Sequence, residues 1–261
     1  VRWLRMAGVD PGDKVAIFSE NRAGWAIADF AIQCVQGITV PIYATNTAVQ
    51  AAYVINHCEA KIVFVSNRIQ YEKLLSVCDQ TPELEQVVSF DRFLGSHELP
   101  VYSLYQLSED SYPVSEKERS KIESCIDAIQ STDLLTIIYT SGTTGVPKGV
   151  MLTQGNVLYD AHYGLEKLEA FGKNETFLSF LPLSHILERT AGYYAPLMTG
   201  CQVAFCESID KVVENMQEAS PTVMVSVPRL FEKIYARIYE DVHKMSSIRS
   251  RLFHITIKDD R

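Results

Sequence analysis

One stretch decides the fold of this 261-residue chain: Leu134-Leu135-Thr136-Ile137-Ile138-Tyr139-Thr140-Ser141-Gly142-Thr143-Thr144-Gly145-Val146-Pro147-Lys148-Gly149-Val150-Met151-Leu152. Its apolar first part predicts a buried strand over 134–139, and its last part predicts a second strand over 149–152. The part between them is rich in glycine, serine and threonine, which predicts a loop at the carboxyl end of the first strand. Open α/β sheets bind ligands at this end of their strands. The loop is therefore the first candidate for a binding site.

Strands and helices alternate on both sides of this stretch. Apolar runs predict further strands over 15–18, 38–43, 61–65, 85–88, 176–181, 202–205 and 222–227. Helical periodicity predicts helices over 22–36, 47–58, 67–78, 154–168, 184–195, 209–219 and 228–245, and Asn21 is a candidate cap for the first of them. The alternation predicts an α/β fold of two βα-alternating subdomains, with largely parallel sheets flanked by helices. The predicted blocks are 1–92 and 132–261, joined by an irregular connector over 93–131.

Composition and charge exclude several classes of protein. Hydrophobic residues at 47% and charged residues at 21% are typical of a globular protein and exclude a disordered chain. The formal net charge of −8 argues against nucleic acid as a partner. The most apolar stretch, 23–43, contains Asp29 and predicts a buried helix and a buried strand rather than a transmembrane span. The six cysteines form no C-x-x-C pair, which favours reduced thiols and a cytoplasmic protein.

The residue types of the loop suit a polyphosphate. Glycines permit positive φ and close approach of backbone amides to an anion, hydroxyls add neutral donors, and Lys148 adds a cation. A Walker A loop would need Gly-Lys-Ser/Thr opening a helix, but Gly149 follows Lys148 and a strand comes next. The dinucleotide fingerprint G-x-G-x-x-G does not occur in the sequence. A hairpin without function is the remaining alternative, and the density of hydroxyls and glycines argues against it.

The segment from Thr140 to Gly149 resembles the phosphate loop of the adenylate-forming acyl-CoA synthetases, or AMP-binding enzymes. It matches their pattern Tyr/Thr-Ser-Gly-Thr/Ser-Thr-Gly-x-Pro-Lys-Gly throughout. A second block is similar to the family's Pro-Leu-x-His segment, in the form in which it occurs in long-chain fatty-acid members: Phe180-Leu181-Pro182-Leu183-Ser184-His185-Ile186-Leu187-Glu188-Arg189. The stretches 21–25, 40–43 and 227–234 fit the same subgroup, so the resemblance covers essentially the whole chain.

The resemblance implies an enzyme that joins a carboxylic acid, here a long-chain fatty acid, to ATP as an acyl-adenylate. Coenzyme A then displaces AMP to give a thioester, and Mg²⁺ offsets the charge of the phosphates. The residues implied to bind the phosphates are Thr140, Ser141, Gly142, Thr143, Thr144, Gly145 and Lys148. Lys148 and Thr144 are the two implied to act closest to the chemistry, by positioning and neutralising charge rather than as nucleophiles.

The second block adds two candidate residues for a substrate pocket, His185 and Arg189. A histidine at a helix start is commonly satisfied by neighbouring backbone, but the resemblance implies a position beside the nucleotide and the acyl group. Some long-chain members have an aromatic gate where this sequence has Arg189, which leaves open whether Arg189 meets an anion. His185 and Glu188 could form half of a metal site, but the sequence offers no second half, so no metal-ligating residue is predicted.

Several motifs of the family do not occur in this sequence: Gly-Tyr-Gly-x-Thr-Glu, Tyr-x-Thr-Gly-Asp and the lysine-bearing C-terminal domain. The chain is therefore predicted to be a partial AMP-binding domain that cannot complete adenylation alone. A non-catalytic module binding a nucleotide or acyl group, and an enzyme adenylating an amino or aryl acid, remain as alternatives. The expected location is cytoplasmic, with peripheral association to a membrane left open.

Overall fold

The computed structural model describes residues 1–110, 113–141, 145–167 and 174–244. Its strands are β1 Lys14–Phe18, β2 Ile38–Ile42, β3 Ile62–Val65, β4 Gln86–Ser89, β5 Val101–Ser103, β6 Leu134–Ser141, β7 Pro147–Thr153, β8 Thr176–Ser179 and β9 Gln202–Phe205. Its α-helices are α1 Arg2–Met6, α2 Ala23–Gln33, α3 Ala48–Cys58, α4 Arg68–Leu75, α5 Leu104–Asp110, α6 Glu116–Asp127, α7 Gln154–Lys167, α8 Ala195–Thr199, α9 Val212–Ala219 and α10 Pro228–Lys244. Short 3₁₀ turns cover Cys78–Gln80 and Ile209–Lys211, and a π-helical segment covers Glu188–Tyr194.

Seven strands form one sheet in the order β5-β4-β3-β1-β2-β6-β7. Every neighbouring pair is parallel except β6 and β7, which form an antiparallel hairpin. A second sheet consists of the parallel pair β8 and β9. The predicted α/β fold with largely parallel sheets is therefore confirmed.

Successive residues of a strand point to opposite faces of the sheet, so the apolar strands of the large sheet present apolar side chains on both faces. Helices cover both of these faces. Ala16 and Phe18 of β1 pack with helices α3 and α4 in one core. Val15 and Ile17 of the same strand pack with Trp25 of α2 and with α7 in the other core. Strands β1 and β2 are buried along almost their whole length, which is typical of parallel strands that have helices on both sides.

Two features differ from the sequence prediction. The predicted strand over 222–227 is reduced to a single parallel bridge between Val223 and Phe177 of β8. The predicted helix over 184–195 contains the π-helical segment Glu188–Tyr194, in which Gly192 leaves room for the Glu188 carboxyl group. The large sheet contains β6 and β7 as well as β1–β5, and β5, α5 and α6 lie within 93–131, while the predicted division into blocks stays a prediction.

The chain divides into two compact units, Val1–Met224 and Val225–Arg261. The first contains both sheets, and the described part of the second contains α10. Among the helices that the structure describes, none is long and apolar enough to cross a membrane.

Candidate functional site

A cavity of about 470 Å³ lies where β2 and β6 end. Its volume is within the range of small-molecule sites. Its polar lining comes from Tyr43, Asn46, Gln50, Tyr139, Thr140, Ser141 and His185, and its apolar lining from Pro41, Ile42, Val54, Ile138, Pro147 and Ile186. Because β2 and β6 are parallel, these residues gather at the carboxyl edge of the sheet, where α/β folds bind ligands.

The β6–β7 hairpin brings two of the predicted phosphate-binding residues to this cavity, whereas Lys148 and Gly145 do not line it. Thr140 and Ser141 line it and are exposed. Thr140 stands directly opposite the exposed Lys148 in the antiparallel register. Opposed residues of an antiparallel pair share one face of the sheet, so the Thr140 hydroxyl and the Lys148 ammonium are presented on the same side. Two hydroxyl donors and one cation thus lie at the end of β6.

The glycines of the loop have different roles. Gly145 has a φ of 82°, a left-handed conformation that favours glycine, and it is exposed. Gly149 instead has ordinary backbone geometry, but an added Cβ would lie 2.7 Å from Cγ2 of Ile137 and 3.3 Å from Cζ of Tyr139. Its lack of a side chain lets β7 pass close to β6. The predicted residues Gly142, Thr143 and Thr144 lie outside the described residues.

An aromatic cluster, formed by Tyr53, His57 and Tyr139, supports the hairpin. The Tyr53 hydroxyl donates to the Pro147 carbonyl at 2.9 Å, and the Tyr139 hydroxyl is 2.7 Å from Nδ1 of His57. The Tyr53 and Tyr139 rings pack edge to face, and burial raises the pKa of Tyr139 so that its phenol stays protonated at neutral pH. The cluster fixes both strands of the hairpin to α3. The cluster was not predicted from the sequence, although aromatic side chains spaced i, i+4 on a helix, as Tyr53 and His57 are, can indicate one.

His185 lines the same cavity, as predicted for a pocket residue, and is exposed. Its amide donates to the Pro182 carbonyl at 2.8 Å, and its ring Nδ1 accepts from the Leu187 amide at 3.2 Å. An Nδ1 that accepts a hydrogen bond leaves the proton of the neutral ring on Nε2. The ring can therefore offer an Nε2–H donor to a bound molecule.

Arg189 does not line this cavity; it is fully buried in the core on the α2 side of the sheet. Its guanidinium forms an ion pair with Asp29 and donates to the hydroxyls of Thr136 at 2.7 Å and Tyr194 at 3.1 Å. It also stacks 5.1 Å from the centre of the Trp25 ring. Because this charge is already compensated inside the protein, we correct the pocket assignment of Arg189 to a structural one.

Metal ligands are not gathered at the cavity. Across the described parts of the chain, no group of three or more His, Cys, Asp and Glu side chains could hold a metal ion. Glu188, the partner considered for His185 in the sequence, is completely buried. The described residues instead provide hydroxyls and a histidine in the cavity lining and a lysine opposite Thr140 on the hairpin, a set that suits the binding of a phosphorylated anion.

Comparison with known proteins gives the following relatives. The family model described as AMP-binding enzyme matches residues 2–254. The long-chain-fatty-acid–CoA ligase FadD15 of Mycobacterium bovis is 37% identical over 233 residues, which cover 87% of this chain and 36% of the relative. The human long-chain-fatty-acid–CoA ligase ACSBG1 is 32% identical over 251 residues, which cover 94% of this chain and 34% of the relative. The chain thus spans about a third of the length of these curated relatives.

Solved structures share the fold at lower identity. The inhibitor-bound N-terminal domain of FACL13 from Mycobacterium tuberculosis has a TM-score of 0.70 at 20% identity, with 88% of this chain and 53% of that chain covered. ATP-bound MatB from Rhodopseudomonas palustris has a TM-score of 0.64 at 20% identity, with 89% and 42% covered. These matches show that the arrangement of strands and helices is one that solved proteins adopt.

Proposed function

The chain belongs to the AMP-binding enzyme family, as its phosphate loop predicted, and from this membership we propose that it is part of an ATP-dependent fatty-acid–CoA ligase. In the proposed reaction a carboxylate oxygen attacks the α-phosphorus of ATP, and the bond between the α- and β-phosphates breaks to release pyrophosphate. The thiol of coenzyme A then attacks the acyl carbon of the acyl-adenylate, and AMP leaves. The observation that carries the proposal is the pairing of Thr140 with Lys148 at the carboxyl edge of the sheet.

The residues of the hairpin would act by holding charge. The Thr140 and Ser141 hydroxyls donate to oxygens of the β- and γ-phosphates, and the Lys148 ammonium neutralises them and the departing pyrophosphate. The remaining predicted phosphate ligands, Gly142, Thr143, Thr144 and Gly145, extend the same set of donors. Such preorganised donors stabilise charge that develops on the leaving group and need no covalent bond to the protein.

His185, which lines the same cavity, would act on the reacting groups. Its Nε2–H can donate to an oxygen of the α-phosphate or of the carboxylate, where the two anions meet. Mg²⁺ is expected to arrive with the phosphates of ATP, since the described residues around the cavity offer no cluster of acidic ligands for it. We therefore assign no step of the reaction to a metal site of this chain.

A long-chain fatty acid is the proposed acyl substrate. Both relatives compared above are named long-chain-fatty-acid–CoA ligases, and Ile42, Val54, Ile138 and Ile186 give the cavity an apolar side. A cytoplasmic enzyme that associates peripherally with membranes would meet such an acid in the lipid phase. Because the chain spans about a third of the relatives, we further propose that it contains the phosphate site but cannot complete adenylation alone.

The test uses the complete protein that contains this chain, assayed for thioester formation with acids from acetate to palmitate. Lys148→Ala is expected to slow the reaction by roughly ten- to a thousandfold, the range for losing one preorganised donor. Lys61→Ala, which removes an exposed lysine just before β3, is the matched control and should leave the rate within about twofold. An unchanged rate in Lys148→Ala would place the hairpin away from the chemistry. ATP binding without a thioester from any acid would instead favour a non-catalytic module.

A further inference from the structure

Asn21 connects the two sheets of the first unit through its side chain. It follows β1, and the sequence suggested that it caps helix α2. The structure instead has Arg22 as the N-cap residue of α2, without a side-chain cap. The Asn21 amide reaches the segment after β8: Oδ1 accepts from the Leu183 amide at 2.8 Å, and Nδ2 donates to the Leu181 carbonyl at 2.6 Å. Nδ2 also lies 3.1 Å from the Ser179 hydroxyl oxygen.

These contacts reproduce those of a neighbouring strand. One side-chain amide satisfies both an N–H and a C=O of the 181–183 backbone, which no strand of either sheet pairs with. The carboxamide group of Asn and Gln carries such a donor and acceptor side by side on one planar, uncharged group. Asp in this position would keep the acceptor for Leu183 but would place a second oxygen against the Leu181 carbonyl.

The segment that Asn21 holds leads directly to His185. The His185 amide donates to the Pro182 carbonyl, between the two residues that Asn21 binds, and the His185 ring accepts from the Leu187 amide.

Glu188, three residues after the histidine, is completely buried, and burial raises the pKa of its carboxyl group to about 7. Neither of its carboxylate oxygens accepts a hydrogen bond of ordinary geometry from the described residues, although the Ser179 hydroxyl is close enough to favour its charged form.

We propose that Asn21 is a positioning residue that sets the direction in which His185 meets the cavity. The inference rests on the proposed function, because that function gives His185 a role at the reacting groups. The amide fixes the backbone of 181–183, this backbone fixes the main chain of His185, and the Leu187 amide then selects the ring tautomer. The hairpin that binds the phosphates is a separate support, held by Tyr53 and Tyr139 of the aromatic cluster. Asn21 should therefore affect catalysis more than ATP binding.

The test compares Asn21→Asp and Asn21→Ala with Asn56→Ala. Asn56 also donates from Nδ2 to a carbonyl, that of Gln80 at 2.7 Å, but on the exposed surface. In the complete protein we expect both Asn21 variants to lower kcat about ten- to a hundredfold while KM for ATP changes less than about threefold. Asn56→Ala should change neither constant.

A second readout follows the histidine itself in this chain. The ¹⁵N chemical shifts of the His185 ring at pH 8 should report the Nε2–H tautomer in the chain without substitutions and a mixture of tautomers in the Asn21 variants. An unchanged kcat together with unchanged ring shifts would overturn the positioning role. If the Asn21 variants shift the His185 tautomer while Lys148→Ala keeps full activity, the positioning role is upheld and the proposed function is refuted instead. Asn21→Ala introduces no buried charge, so it decides the question if Asn21→Asp fails to fold.

Discussion

Asp29→Asn should destabilise the protein strongly, because it removes the only charge that compensates Arg189 among the described residues. Asp29 and Arg189 are both completely buried, and the Asp29 carboxylate accepts from Arg189, from Tyr194 at 2.6 Å and from Thr39 at 2.7 Å. Removing one partner of such a pair costs about 3–5 kcal/mol, since the other charge stays buried without compensation. For a chain of this size, that loss lowers Tm by roughly 6–20 °C.

The assay is urea and thermal unfolding followed by circular dichroism. The double variant Asp29→Leu, Arg189→Met should recover much of the loss, because packed apolar side chains often replace a buried ion pair at little cost. Glu109→Gln is the matched control: it breaks the exposed ion pair with Arg92 and should cost less than about 1 kcal/mol. If Asp29→Asn costs no more than Glu109→Gln, then Arg189 is not held in the core as described. Its charge would then be available to a substrate.

Two further predictions concern single residues. Gly149→Ala should cost about 1–3 kcal/mol of unfolding free energy and lower the affinity for ATP, because the new Cβ would lie 2.7 Å from Cγ2 of Ile137 and separate the hairpin strands. An unchanged unfolding free energy and an unchanged ATP affinity would contradict this packing. Burial raises the pKa of Glu188 from 4.5 to about 7, so the folded protein keeps a proton that the unfolded chain releases, and stability falls as pH rises through this window. Glu188→Gln should remove that fall, which is about 3 kcal/mol at most; parallel stability curves for both proteins from pH 5 to pH 8 would refute it.

The sequence was sufficient for the elements that periodicity and loop chemistry determine. The strands before and after the phosphate loop, the alternation of helices with β1–β4, and the cavity positions of Thr140, Ser141 and His185 are all present. The roles of all the predicted phosphate-binding and pocket residues, and the division into blocks, stay predictions. Local patterns predict the strands and helices because each depends on neighbours in the chain, whereas the expectation that His185 lies at a pocket came from the family resemblance.

Contacts between distant segments could not be predicted in the same way. Asn21 has the residue type of a helix cap, but its partners lie about 160 positions away, at Leu181 and Leu183. Arg189 follows a pocket histidine closely, yet the π-helical turn directs it to Asp29 in the core. The strand predicted at 222–227 has the right residue types but pairs with β8 only at the bridge between Val223 and Phe177. Tertiary pairing decided all three.

The proposed function depends most on the binding of the ATP triphosphate by the β6–β7 hairpin. The most direct test is a crystal structure of this chain soaked with a nonhydrolysable ATP analogue in which an imido group joins the β- and γ-phosphates. We predict phosphate oxygens within hydrogen-bonding distance of the Thr140 and Ser141 hydroxyls and of the Lys148 ammonium. A triphosphate bound elsewhere, or an empty hairpin at saturating analogue, would contradict the account.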